Sequence, residues 1–140
     1  MKIVLDTNVF VSGVFWSGPP FRILQAWKER RVELALSPAI FDEYERVANE
    51  LACSHPEVDL LPWLDLLVAT ASFVEDRLLD EPVCSDPDDD KFIACALEAS
   101  ARCIVTGDKA LLRVNGYRGV EVLGPIVFVR KHLELRRRNR

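Results

Sequence analysis

At 140 residues the chain falls in the size range of a single domain, so one hydrophobic core and one site are expected. A composition that is 49% hydrophobic and 29% charged excludes a disordered chain, and the absence of any repeat excludes a fibre. No stretch approaches the roughly 20 apolar residues of a membrane span, and the opening Met1-Lys2-Ile3-Val4-Leu5-Asp6 is broken by charge far short of a signal-peptide core, so a cytoplasmic location is expected. The net charge of -4 is unevenly placed: Arg130 to Arg140 carries +5, which leaves -9 on the rest. An acidic body is a poor general surface for nucleic acid and a good one for cations.

Taken in chain order, Lys2 to Leu5 is a short β-branched strand ending at Asp6. Pro19-Pro20-Phe21 opens a helix with Phe21, Leu24 and Trp27 at helical spacing. Glu33 to Leu36 reads as a second strand. Ser37-Pro38 then supplies an N-cap and a proline at the first helical position, ahead of the stripe Ile40, Tyr44, Val47, Leu51. Leu61 to Ser72 is apolar enough for a further helix, and a short strand is expected near Phe73-Val74. The run Asp86 to Asp90 precedes a helix reaching Ala101. Cys103-Ile104-Val105 reads as a strand, Asp108 to Val114 as a short helix and Val120 to Leu123 as a last strand. Strand and helix in alternation predict an α/β fold, a mostly parallel sheet covered by helices on both faces. Ser12 to Pro20 and the Arg-rich end are the segments expected to be flexible, and the domain is expected to span residues 1–130 with a tail at 131–140. The cysteines, Cys53, Cys84, Cys95 and Cys103, include no C-x-x-C pair, and only His55 and His132 could join them around zinc. They are read as free, mostly buried thiols.

In an open parallel sheet, ligands bind beyond the carboxyl ends of the strands, and acids gather there: Asp6 after the first strand, Asp108 three residues past Val105, and Glu43 and Asp90 in the first turns of helices aimed at the same edge. Each has a local alternative. Asp6 with Thr7 and Asn8 suits an Asx-turn or helix cap, Asp86 to Asp90 suits a helix amino terminus, and Asp108 suits a cap for the helix beginning at Lys109. Glu43 differs, because it lies only roughly 70° off the apolar stripe of its helix, whereas Asp42 and Glu45 point well away. Half-buried carboxylates are rare unless paired or bound to metal. Four such groups, with no base in the motifs to pair them, would repel one another unless a cation lies between them. An all-oxygen carboxylate set suits Mg²⁺ or Mn²⁺, and the chemistry that follows is phosphodiester hydrolysis.

The strings Val4-Leu5-Asp6-Thr7-Asn8, Ser37-Pro38-Ala39-Ile40-Phe41-Asp42-Glu43, Asp86-Pro87-Asp88-Asp89-Asp90-Lys91-Phe92-Ile93-Ala94 and Ile104-Val105-Thr106-Gly107-Asp108 resemble, in order and spacing, the PIN-domain ribonucleases. The resemblance is nearest to the branch that supplies the toxin components of type II toxin-antitoxin systems, and it covers about residues 2–129. It implies a three-layer α/β/α sandwich and a Mg²⁺- or Mn²⁺-dependent endoribonuclease acting on single-stranded RNA. It also implies a homodimer and a cognate antitoxin as partners. Matched by position, the family's acids fall on Asp6, Glu43, Asp90 and Asp108. Asp90 is chosen from its run because it stands three residues before Ile93-Ala94. Asp6, Asp90 and Asp108 are the expected metal ligands, with Asn8 and Thr106 as supporting polar residues.

Three other readings compete. A phosphatase with an aspartate nucleophile would need a second acid at position 8, where Asn8 stands. A PIN-like domain serving only as an RNA-binding or assembly module would be expected to have lost one or two of the acids. A housekeeping RNA-processing nuclease shares every residue with the toxin reading, and the neighbouring gene would separate the two. Phosphate attraction is expected to come from Arg136, Arg137, Arg138 and Arg140.

Overall fold

The computed structural model describes residues 1–134, so the expectation placed on Arg136 to Arg140 lies outside the described residues. Its centre is a five-stranded sheet with the order β3-β2-β1-β4-β5, built from β1 (Lys2–Leu5), β2 (Glu33–Leu36), β3 (Ser72–Phe73), β4 (Cys103–Val105) and β5 (Glu121–Leu123). Every pairing is parallel. The strands are short, and β1, β2 and β4 are buried along most of their length, as expected where helices cover both faces, whereas the edge strand β3 is partly exposed. From β1 the chain steps outward to β2 and β3, then returns past β1 to β4 and β5. Crossovers of one hand taken in opposite directions put helices on both faces and leave a crevice between β1 and β4, at the point where the strand order reverses. The α/β/α expectation is therefore met.

Between β1 and β2 lie α1 (Thr7–Phe15) and α2 (Pro19–Lys28). α1 is a correction to the reading of Ser12 to Pro20 as flexible, since Ser12 to Phe15 complete its last turn. The segment is apolar on nearly every side and has no stripe to announce it, and Val9, Phe10, Val11 and Gly13 are buried. Gly13 is required by the close approach of α2: a Cβ there would stand 2.7 Å from Leu24 Cδ1 and 2.8 Å from the Pro20 carbonyl oxygen. α3 (Pro38–Ala52) starts where Ser37-Pro38 predicts, with Ser37 Oγ accepting from the Ile40 N–H. Its Tyr44 ring stacks on Phe10 at 4.4 Å, and the Tyr44 hydroxyl donates to the Leu5 carbonyl at the end of β1. α3 is thereby tied to the strand that delivers Asp6.

α4 (Leu61–Thr70) leads into β3, and α5 (Asp90–Ala99), entered through a 3-10 turn at Pro87–Asp89, packs across β1, β2 and β4. α6 (Lys109–Leu112) joins β4 to β5. α7 (Pro125–Phe128) continues into a π-helical turn at Val129–Glu134. That turn is packed rather than loose: His132 and Leu133 are buried, Arg22 pairs with Glu134 at 2.9 Å and Arg31 donates to the Leu133 carbonyl. These contacts carry the packing to Glu134, the last described residue. Cys53 is exposed and Cys84, Cys95 and Cys103 are buried, all as free thiols. Among the described residues, no helix is long and apolar enough to cross a membrane.

Candidate active site

Parallel strands bring their carboxyl ends to one edge, and the residues that follow β1 and β4 meet there. Asp6 leaves β1 with its own N–H still donating to the Val105 carbonyl, so it continues the ladder beside β4. Thr106, the first residue beyond β4, is fully buried, and its hydroxyl donates to Asp6 Oδ2 at 2.6 Å. The Thr106 hydroxyl oxygen in turn accepts from the Asp108 N–H at 3.0 Å. Asp6 is 7% exposed; its side chain makes no full cap hydrogen bond to α1, although the Asn8 peptide N–H faces it, and its bond to Thr106 across the sheet is more than a local cap requires. Burial pushes its pKa up. The Thr106 hydroxyl and the Asn8 peptide N–H pull it back, and the Asp108 and Glu43 charges push it up again. Asn8 therefore acts through its main chain, its side chain being exposed.

Asp108 fulfils the cap alternative with one oxygen, Oδ1, which accepts from the Ala110 N–H at 3.0 Å. That bond holds the carboxylate in place beside Asp6. Glu43 lies on the rim of the edge, its side chain 18% exposed, while Asp42 and Glu45 are exposed, as the helical stripe predicts. Thr7 donates to Glu43 Oε2 at 2.5 Å. Lys91 Nζ stands 3.1 Å from Glu43 Oε1 and 2.9 Å from Asp88 Oδ2. Burial would lower the lysine's pKa, but these two carboxylates outweigh it and hold the ammonium charged. The expectation that the acids have no base among them is thus corrected: Lys91, inside the third motif, neutralises part of the rim.

The third acid is placed differently from the expectation. Both oxygens of Asp90 are occupied by the peptide N–H groups of Val83 and Cys84, at 3.2 and 2.7 Å, so this carboxylate fastens the loop before α5. Its neighbour Asp89 is the one turned inward. Asp89 is 9% exposed, and its Oδ2 is the buried side-chain oxygen left without a hydrogen-bond partner among the described residues. Burial first, then the Asp108 carboxyl beside it and the charges of Asp86 and Asp6, push its pKa up to about 7. The signal was present in the sequence. Asp89, Phe92, Ile93 and Ala96 follow the i, i+3, i+4, i+7 spacing of a buried helical face, and the last three are 0–2% exposed. Counting back from Ile93-Ala94 selects Asp90 because it ignores the 3-10 turn that Asp86 caps.

Asp6, Asp89 and Asp108 thus converge from three segments, with Glu43 at the rim. Residues 2–110 match the PIN domain family. The chain belongs to that family. An uncharacterized protein of Methanocaldococcus jannaschii, MJ1680, is 34% identical over 118 residues, covering 82% of this chain and 76% of its own. No solved structure matches the chain significantly. PIN domains are in general metal-dependent nucleases, and the side chains of this PIN domain fit a hard divalent cation. The donors are carboxylate oxygens, the charges of Asp108 and Asp6 bear on Asp89 and raise its pKa, and a buried oxygen of Asp89 lacks the partner that buried polar atoms almost always have.

Proposed function

We propose that this PIN domain is an endoribonuclease that hydrolyses single-stranded RNA with Mg²⁺ or Mn²⁺, as the toxin of a toxin-antitoxin pair. The observation that carries the nuclease reading is the unpartnered Asp89 Oδ2 beside Asp6 and Asp108. Asp6, Asp89 and Asp108 would hold the cation. When bound, it supplies charge neutralisation and Lewis acidity at the phosphodiester. Thr106 orients Asp6, and the Ala110 N–H orients Asp108, so that two of the acids are set before any ligand arrives. Glu43, reached by solvent and steadied by Thr7 and Lys91, would take the proton of the attacking water. Asp90 acts indirectly, by fixing the loop and the turn that carry Asp89.

The toxin role, a cognate antitoxin and a homodimer are supported by the resemblance of the four motifs to the toxin branch. Incubating a pool of RNAs with the purified chain, with and without Mg²⁺ or Mn²⁺, and mapping the ends tests the activity. Cleavage that needs metal and disappears in Asp6→Asn and Asp89→Asn is the expected result. Cleavage that persists in a chelator would overturn it. Growth arrest on expression, relieved by the product of the adjacent gene, is the result expected of a toxin.

A further inference from the structure

The opposite edge of the sheet carries a second set of ligand-type side chains. Cys103 and Glu121 open β4 and β5 as register partners, and the π-helical turn lays His132 beside them. Cys103 is fully buried and His132 is 4% exposed. The Cys103 thiol donates to Glu121 Oε1 at 3.3 Å. His132 Nε2 lies 2.8 Å from the same oxygen and 3.8 Å from Cys103 Sγ. Among the described residues, this is the one group of three His, Cys, Asp or Glu side chains whose ligand atoms all lie within 4.8 Å of one another; the oxygens of Asp6, Asp89 and Asp108 do not all stand that close.

We propose that Cys103, Glu121 and His132 form a binding site for a zinc-class divalent cation, separate from the acid cluster at the other end of the strands. With Zn–S near 2.3 Å and Zn–N and Zn–O near 2.0–2.2 Å, neighbouring ligands of a tetrahedral zinc stand about 3.4–3.6 Å apart. The three separations here, 3.3, 2.8 and 3.8 Å, reach those values with shifts of about 0.6 Å or less. Thiolate, imidazole and carboxylate together suit zinc and not Mg²⁺ or Mn²⁺. Lys131 bonds the other carboxylate oxygen, Oε2, and so turns Oε1 toward Cys103 and His132, the kind of outer partner that orients a metal ligand. Glu121, one quarter exposed on its side chain, is the open side by which an ion enters and a water completes the fourth position.

Binding is balanced by one proton. The Cys103 thiol loses its hydrogen to solvent, the imidazole offers Nε2 with its hydrogen on Nδ1, and Glu121 coordinates as the carboxylate it already is. The ion would clamp the carboxyl-terminal turn to β4 and β5, joining side chains 29 residues apart.

The test is titration of the chelator-stripped full chain with Co²⁺ and then Zn²⁺. Co²⁺ is expected to produce a thiolate-to-cobalt charge-transfer band, Zn²⁺ to displace it and raise Tm, and Cys103→Ser to abolish the band. Lys131→Met is expected to weaken affinity about tenfold or more. Asp6→Asn and Asp108→Asn should keep the band, which separates this site from the acid cluster. No thiolate band in the wild-type chain at saturating Co²⁺, or an undiminished band in Cys103→Ser, overturns the proposal. Should Cys103→Ser not fold, His132→Gln decides: weaker Co²⁺ binding of about tenfold or more supports the site, and an unchanged titration overturns it.

Discussion

Thr106 and Asp6, 100 residues apart in sequence, share a hydrogen bond of 2.6 Å at the crevice between β4 and β1. The same hydroxyl accepts from the Asp108 N–H, so one buried oxygen sets the spacing of two acids. Thr106→Val keeps the shape, removes both bonds and leaves the buried Asp6 Oδ2 and the half-buried Asp108 N–H without that partner. A loss of about 1–3 kcal/mol in stability is expected, measurable by urea unfolding. Divalent-metal affinity should fall about 10–100-fold, the usual cost of losing an orienting partner. Unchanged metal affinity would show that Asp6 does not depend on Thr106.

Asp89 and Asp90 should separate under the same conservative change. Asp89→Asn is expected to abolish RNA cleavage and to raise Tm in a chelator, because it removes a repelled buried charge. Asp90→Asn keeps one acceptor oxygen of the two, so it should lower stability by about 1 kcal/mol and retain part of the activity. Asp42→Asn and Glu45→Gln, both on exposed positions, serve as controls and should change neither. Equal loss of activity in Asp90→Asn at full stability would return Asp90 to the centre.

The pH dependence of stability follows from the same group. The ordinary value for an aspartate here is 3.8, and burial with the neighbouring acids pushes Asp89 up to about 7 in the folded chain. Between those two values the folded state holds more protons than the unfolded state, so stability falls as pH rises. In a chelator, the urea midpoint should therefore decline from about pH 5 to about pH 8, and Asp89→Asn should flatten the decline. Added Mn²⁺ should restore stability most at the alkaline end, where Asp89 is ionised and binding to the folded form is strongest. A midpoint that rises through this window in the absence of metal would contradict the placement of Asp89.

Gly13 is a packing test remote from the acids. Gly13→Ala places a methyl against Leu24, which can move, and against the Pro20 carbonyl, which belongs to the backbone of α2. The gain in helix propensity is about 1 kcal/mol, and overpacking costs typically 1–3 kcal/mol. A net destabilisation is expected, read from denaturant unfolding. A more stable Gly13→Ala chain would mean that α1 and α2 separate readily.

Much of the edge was legible from local chemistry. β2, β4 and the start of α3 carry their own signals, in short apolar strands and in the Ser37-Pro38 cap, and these signals act within a few residues. Once the strands are known to be parallel, Asp6, Thr106 and Asp108 must reach one edge, because each lies within three residues of a strand's end. Glu43 was legible from the face of its helix. What the sequence by itself did not determine depends on contacts between distant segments. α1 is apolar on nearly all sides, so periodicity cannot mark it, and it is held as a helix by burial between α2 and α3. Asp89 rather than Asp90 faces the acids because the 3-10 turn at Pro87–Asp89 sets the phase of α5 on the sheet, and the Val83 and Cys84 amides take up Asp90. Lys91 stands beside Glu43, and His132 beside Cys103, only after α5 and the carboxyl-terminal turn have packed. Side chains 48 and 29 residues apart meet through packing, which no local propensity encodes.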